Sequence, residues 1–260
     1  MVISFTNQKG GVGKTTSAVN IAASLGALDE KVLLVDMDPQ GNASTGVGLI
    51  DRNDTCTIYE VITGEAPVEA AIYTTEFKNL DVIPSVIGLA GAELEMTQIE
   101  NRERLLKRAL DSVRDKYDYI IIDCPPSLSL LTVNALVASD GFIIPVQCEY
   151  YALEGLVQLM NSVAVVKEYY NPHLSLVGVL VTMYNARLNF SGRIMEDLRN
   201  HYPDELFKTA VTRNVRLSEA PAFGTPVLYY DKFSKGAQSY LALAQEIIER
   251  TAPEENADGE

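Results

Sequence analysis

Asn7-Gln8-Lys9-Gly10-Gly11-Val12-Gly13-Lys14-Thr15-Thr16 follows the apolar run Val2-Ile3-Ser4-Phe5 and opens into a helical pattern carried by Ala18, Ile21, Ala22 and Leu25. Strand, glycine-rich loop and helix in that order are the setting of a phosphate-binding loop. Gly10, Gly11 and Gly13 let backbone amides converge on phosphate oxygens, and the new helix turns its unpaired donors and positive dipole end to the same point. Lys14 then reaches the β- and γ-phosphates, and the Thr15 hydroxyl is a Mg²⁺ ligand. Residues 9–16, Val12 and Thr16 included, are therefore the expected nucleotide cradle. The general pattern G-x-x-x-x-G-K-[ST] asks for glycine at position 8, where this chain has Gln8, and a second lysine, Lys9, starts the loop.

Working outward, residues 31–36 form a second apolar run that does not alternate, as in a strand buried on both faces. It delivers Asp36-Met37-Asp38-Pro39-Gln40-Gly41-Asn42. Carboxylates at the C-terminal end of a strand sit where open α/β sheets hold their ligands. Asp38 is placed to order an attacking water or the metal's hydration shell. Asp36 is the nearer alternative, and a turn or helix-cap role is the plain reading of either. Tyr119-Ile120-Ile121-Ile122-Asp123 is an apolar strand ending in a carboxylate, the form that holds Mg²⁺ directly or through water. Further strands are expected near residues 80–84, 141–146, 176–182 and 224–227. Helices are expected near residues 58–62, 68–73, 94–113, 156–169 and 236–249, the last with a docking stripe of Ala237, Tyr240, Leu241, Ala244, Ile247 and Ile248. Alternation of this kind predicts an α/β fold: a single-domain P-loop NTPase over residues 1–250, with a mostly parallel twisted sheet and helices on both faces. Residues 251–260, acidic with Pro and Gly, read as a disordered tail.

Length and composition agree with one globular domain. No apolar run approaches the ~18 residues of a membrane span, and no secretory signal pattern opens the chain. The three cysteines, Cys56, Cys124 and Cys148, have no metal-type spacing and read as reduced structural thiols, which points to the cytoplasm. The net charge of −14 argues against nucleic acid as a partner of the whole surface. Residues 187–216 run the other way, with six Lys/Arg against four acids, so the rest of the chain carries −16. This basic strip includes Arg187, Arg213 and Arg216; a solvated mixed-charge face is its simplest reading. Tyr150 and Tyr151 are candidates for an interface or for half-buried core positions.

The Lys-Gly-Gly-Val-Gly-Lys-Thr-Thr loop, with Asp-Pro-Gln-Gly-Asn, Asp-Cys-Pro-Pro-Ser, Val-Gln-Cys-Glu-Tyr-Tyr-Ala-Leu-Glu-Gly and Arg-Leu-Ser-Glu-Ala-Pro, resembles the deviant Walker A (ParA/MinD) ATPases over nearly the whole chain. Within them it resembles the Soj-type chromosomal and plasmid partitioning proteins, in the short form without a preceding helix-turn-helix region. The resemblance implies ATP and Mg²⁺ as cofactors and weak intrinsic hydrolysis. It implies a homodimer closed over two nucleotides, with Lys9 crossing to the partner's phosphates and Lys14 and Asp38 completing the catalytic set. Thr15, Asp38 and Asp123 would serve the metal, and Asn185 and Pro221 the base. Arg187, Arg213 and Arg216 would hold double-stranded DNA without sequence preference on the nucleoid, and a ParB-like partner would stimulate hydrolysis. A MinD-type membrane helix is the main rival. It needs a basic C-terminal amphipathic stretch, whereas residues 246–260 carry one Arg against six acids, so no membrane partner is expected. An iron–sulfur reductase of the nitrogenase iron-protein type would need cluster cysteines at positions these three do not occupy.

Overall fold

The computed structural model describes residues 1–49 and 55–252. In chain order the elements are β1 (Val2–Phe5), α1 (Lys14–Ala27), β2 (Val32–Asp36), α2 (Asn42–Gly46), α3 (Ile58–Thr63), β3 (Tyr73–Thr74), β4 (Leu80–Ile83), α4 (Leu89–Met96) and α5 (Leu105–Asp111). They continue as β5 (Tyr119–Asp123), α6 (Leu130–Ala138), β6 (Gly141–Gln147), α7 (Ala152–Tyr169), β7 (Ser175–Thr182), α8 (Asn189–His201), α9 (Val215–Glu219), α10 (Val227–Tyr230) and α11 (Lys235–Thr251). One seven-stranded sheet takes the order β3-β4-β2-β5-β1-β6-β7. All pairings are parallel except the short antiparallel β3–β4 contact.

Alternation along each strand decides the layers. Ile3 and Phe5 of β1, Leu34 of β2 and Ile121 of β5 point to one face, where α1 and α11 cover them. Val2, Leu33, Val35, Ile120 and Ile122 point to the other, under α3 to α6. Both faces are buried, which is why these strands read as continuous apolar runs. A third cluster packs α7 and α8 on β6 and β7. The register places Phe5 and Asp36 beside Asp123, so β1, β2 and β5 end at one level. The strand order turns at β1, with β5 on one side and β6 on the other, and the crevice above it is where such sheets bind ligands.

Three sequence expectations change. The helix expected over residues 94–113 is broken: Asn101 is left-handed at φ 55°, and α4 and α5 lie on either side of it. Asn134 of α6 fills the break, its amide donating to the Arg102 carbonyl at 2.8 Å and its Oδ1 accepting from Leu106 N–H at 3.1 Å. Side-chain bonds of this kind compete with the helical ladder. Residues 68–71 form only a 3₁₀ turn, running into β3. The strand expected at residues 224–227 is instead a 3₁₀ turn at Ala220–Phe223 followed by the short helix α10. Leu206 bridges to Val179 at the edge of β7, and Thr212 to Tyr184 just past its end. The α11 stripe is buried as expected, with Leu243 added and Ile248 and Leu241 half-buried. That helix runs through Thr251, and the tail from residue 253 lies outside the described residues.

Candidate nucleotide site

The loop after β1 is held from outside by side chains. Asn7 donates to the Pro145 carbonyl at 2.8 Å and accepts from Lys9 N–H at 2.9 Å. Gln147, at the end of β6, donates to the Gly11 carbonyl, and Thr182, at the end of β7, donates to the Val12 carbonyl, both at 2.7 Å. Two of the loop's carbonyls are thus fixed against β6 and β7. The amides of residues 10–14 are not engaged by other described groups. Gly11 and Gly13 sit at φ 75° and 85°, a region closed to most side chains. Gly13 caps α1 with no side-chain hydrogen bond, and the first turn holds no acid. The positive helix end is therefore offered to an anion.

Lys14 is buried, and its ammonium donates to the Lys9 carbonyl at 3.0 Å across the loop. Burial depresses its pKa, while Asp123, Cys124 and Asp38 pull it back up. Lys9 itself is half-exposed and forms an ion pair with Glu149, which follows β6. In this conformation the lysine expected to act across an interface is held within its own chain.

Three carboxylates gather below the loop, each with a different environment. Asp36 is fully buried and accepts from Ser44 N–H at 2.8 Å, Ser44 Oγ at 2.6 Å and Asp38 N–H at 3.2 Å. Its pKa is still pushed up to about 6, by burial first. These bonds tie it to the start of α2, so Asp36 is a structural anchor for the Asp38 loop. Asp38 is buried and caps the following turn through Gln40 N–H at 3.0 Å. Asp123 is fully buried, and neither of its oxygens meets a donor at hydrogen-bonding geometry among the described residues. Burial and then the neighbouring Asp36 raise its pKa well above the carboxylate range; Thr15 and Lys14 oppose the rise. A buried carboxylate with both oxygens orphaned, beside Thr15 and Lys14, is suited to a cation. The residues present therefore fit Mg²⁺. Burial likewise pushes the Cys124 thiol upward, consistent with a small packing residue.

Beside the loop opens a cleft of about 310 Å³ lined by Gly13, Thr16, Thr182, Met183, Arg213 and Asn214. Pro221 lines a separate cavity of about 270 Å³ with Thr15, Thr16, Asn42 and Thr45. Thr16 belongs to both. Asn185 lies outside both, exposed, with its Oδ1 accepting from Arg187 N–H at 3.1 Å in a local turn. The structure thus brings residues 9–16, Asp38 and Asp123 together, puts Pro221 near Thr16, and leaves Asn185 at the rim. Arg187, Arg213 and Arg216 are all exposed. Arg213 faces the cleft, and Arg216 bonds Glu219 at 2.7 Å and Asp231 at 3.2 Å. Tyr150 and Tyr151 are exposed rather than core residues, packed edge to face at 4.9 Å with Tyr150 stacked on Phe190. Sequence reasoning missed Asn7, Ser44, Gln147 and Thr182. Their one common signal is a polar residue at or just past the C-terminal end of a strand, or at a short helix start.

Fold and site together define a P-loop nucleoside-triphosphatase of the kind that carries a lysine at the start of its loop. An AAA domain family model matches residues 1–176. The sporulation initiation inhibitor protein Soj of Bacillus subtilis is 52% identical over 246 residues, covering 95% of this chain and 97% of its own. The chromosome partitioning protein ParA of Myxococcus xanthus is 50% identical over 252 residues, covering 97% and 89%. Among solved structures, cobyrinic acid a,c-diamide synthase of Mycobacterium smegmatis with bound ADP and magnesium superposes with a TM-score of 0.80. It is 36% identical and is covered to 92%, against 94% of this chain. The chain belongs to the ParA/Soj family of chromosome-partitioning proteins. Among the described residues no helix is long and apolar enough to cross a membrane.

Proposed function

We propose that the chain is a Mg²⁺-dependent ATPase whose nucleotide state switches its grip on DNA during partitioning. The observation that carries the ATPase reading is Asp123: buried, with neither oxygen partnered at full hydrogen-bonding geometry among the described residues, and set beside Lys14 and Thr15 under a loop whose amides at residues 10–14 are unengaged. ADP and magnesium in the related synthase, and the name chromosome-partitioning ATPase given to a relative in Treponema pallidum that is 46% identical, support it. Thr15 and Asp123 would hold Mg²⁺, with Asp38 toward its hydration shell; the ion neutralises charge on the triphosphate. The loop amides and Lys14 bind and orient the β- and γ-phosphates, so that charge developing on the departing phosphoryl group meets preorganised donors. Asp38 orients the attacking water. Lys9, released from Glu149, supplies a second cation to the partner protomer's nucleotide, which makes closure of a dimer part of catalysis.

Arg187, Arg213 and Arg216 are exposed and fall within one net-basic stretch of sequence, residues 187–216, in an otherwise acidic chain. Pairing two protomers doubles the phosphate contacts, which steepens both affinity and salt dependence for nonspecific duplex and places the protein on the nucleoid. The acidic remainder suits a basic segment of a ParB-like partner that stimulates hydrolysis. The test is ATP-dependent retardation of a nonspecific duplex together with phosphate release. Arg216→Glu is expected to abolish retardation with ATP binding intact. Asp38→Ala is expected to keep retardation and lose phosphate release. Retardation unchanged in the first variant, or turnover unchanged in the second, contradicts the respective assignment.

A further inference from the structure

Asn20 sits in the second turn of α1, a helix interior where asparagine is a poor choice on intrinsic grounds because its side chain competes with the backbone. Its environment supplies the reason for it. The side chain is buried; its amide donates to the Thr16 carbonyl at 2.7 Å, and its Oδ1 accepts from Val227 N–H, also at 2.7 Å. Only a side chain that donates and accepts at once satisfies both groups. One end of this bridge is Thr16, which lines both cavities beside the phosphate loop. The other end is the first residue of α10, at the far side of the turn that carries Pro221.

The segment 215–231 is pinned at two more places. Gly224, left-handed at φ 60°, lies so close to Gly48 that a Cβ there would come within 2.9 Å of the Gly48 Cα. Gly48 ends the turn after α2, the helix tethered to Asp36 through Ser44. Arg216 closes the segment on itself through Asp231. Ala220, Gly224 and Val227 are buried, so this stretch has little room to move independently of α1 and α2.

We propose that Asn20 is a positioning residue: through Val227 it couples the segment bearing Pro221 and Arg216 to the helix whose first turn receives the nucleotide. Occupancy of the phosphate loop is then transmitted to the basic strip inside each protomer, before and apart from dimer closure. The link to DNA rests on the function proposed above; the link between nucleotide and segment does not.

The test approaches the Asn20–Val227 bond from both ends. Asn20→Ala removes the acceptor. Val227→Pro removes the donor at the first helical position, where proline is well accepted and the preceding Pro226 already has an extended ψ of 146°. Asn20→Asp keeps the acceptor for Val227 N–H while removing the donor to Thr16, and so reports on the Val227 arm alone. Hydrogen exchange is measured on the full chain, alone and saturated with ADP and Mg²⁺, the nucleotide state expected to leave the protein monomeric, with nucleotide affinity and melting temperature recorded alongside. In the parent protein, nucleotide is expected to slow exchange both in residues 7–16 and in residues 215–231. In Asn20→Ala and Val227→Pro the slowing persists in 7–16 and is lost in 215–231, and Asn20→Asp restores it. ATP-dependent affinity for nonspecific duplex falls at least about fivefold in the two disrupted variants, the low end of usual coupling between sites.

Slowing of 215–231 retained in both disrupted variants at saturation overturns the proposal. So does loss of nucleotide binding in both, which would make the bond a scaffold of the pocket itself. A parent protein that shows the exchange pattern but never retards DNA leaves the coupling standing and removes the DNA reading alone.

Discussion

Asp123→Asn should make the nucleotide-free protein more stable while destroying its Mg²⁺-dependent turnover. The carboxylate is wholly buried, finds no donor, and has Asp36 beside it across the β2–β5 register. An uncompensated buried charge costs about 3–5 kcal/mol. The replacement amide, also without partners, retains an unsatisfied-group cost of about 1–3 kcal/mol. With Lys14 already offsetting part of the charge, the net gain is about 1–3 kcal/mol, or roughly 2–10 °C in melting temperature for a domain of this size. The assay is calorimetric or dye-monitored melting in chelator at neutral pH, with phosphate release measured in parallel. The sign with pH is also fixed. Because the folded pKa is raised, the parent protein binds more protons folded than unfolded, so its stability increases as pH falls and the advantage of the variant shrinks. A variant that melts below the parent at neutral pH in chelator, or whose advantage grows on acidification, would refute the reasoning.

Asp36 should leave its own mark on the pH profile. Its pKa is about 6 folded against 3.8 unfolded, so its contribution to stability is lost as pH rises from about 4 to 6, by about 3 kcal/mol at 1.4 kcal/mol per unit. Denaturant titrations of the parent and of Asp36→Asn across that range isolate it, the variant lacking this component. Glu149→Gln should strengthen ATP-driven dimerisation by freeing Lys9. Both groups of that ion pair are about half-exposed, so each pair costs about 0.2–1 kcal/mol to break. Two pairs per dimer give roughly a 2- to 30-fold gain in association constant, readable by sedimentation. Thr182→Val should lower nucleotide affinity by removing the donor to the Val12 carbonyl, and should lower the stability of the free protein by about 1–3 kcal/mol because that buried carbonyl loses its partner. Fluorescent-nucleotide titration checks it.

The grouping of the phosphate loop with Asp38 and Asp123 was legible because each is local in sequence. The loop of residues 9–16, Asp38 and Asp123 each sit at the end of an apolar strand, and parallel register alone brings strand ends to one edge. The helix breaks were not legible, since Asn134 reaches the backbone of residues 102 and 106 from another helix. Nor was the split between cavities. Whether Asn185 or Arg213 faces the cleft depends on how Leu206 and Thr212 bridge to β7 and just past its end, a pairing of two distant segments with no periodic signature. The strand expected at residues 224–227 failed for a related reason: Val227 N–H is taken by Asn20, a residue distant in sequence. Asp36 stood in the sequence as the alternative to Asp38, and the bonds from Ser44 mark it as an anchor.

The most direct measurement is the mass of the protein in solution with ADP, then with a non-hydrolysable ATP analogue and Mg²⁺, for the parent and for Lys9→Ala. A lysine that leaves Glu149 to serve a partner's nucleotide predicts a monomer with ADP, a dimer with the analogue, and a monomer in both states for the variant. A parent protein that stays monomeric with the analogue, or a Lys9→Ala protein that dimerises as tightly as the parent, would contradict it.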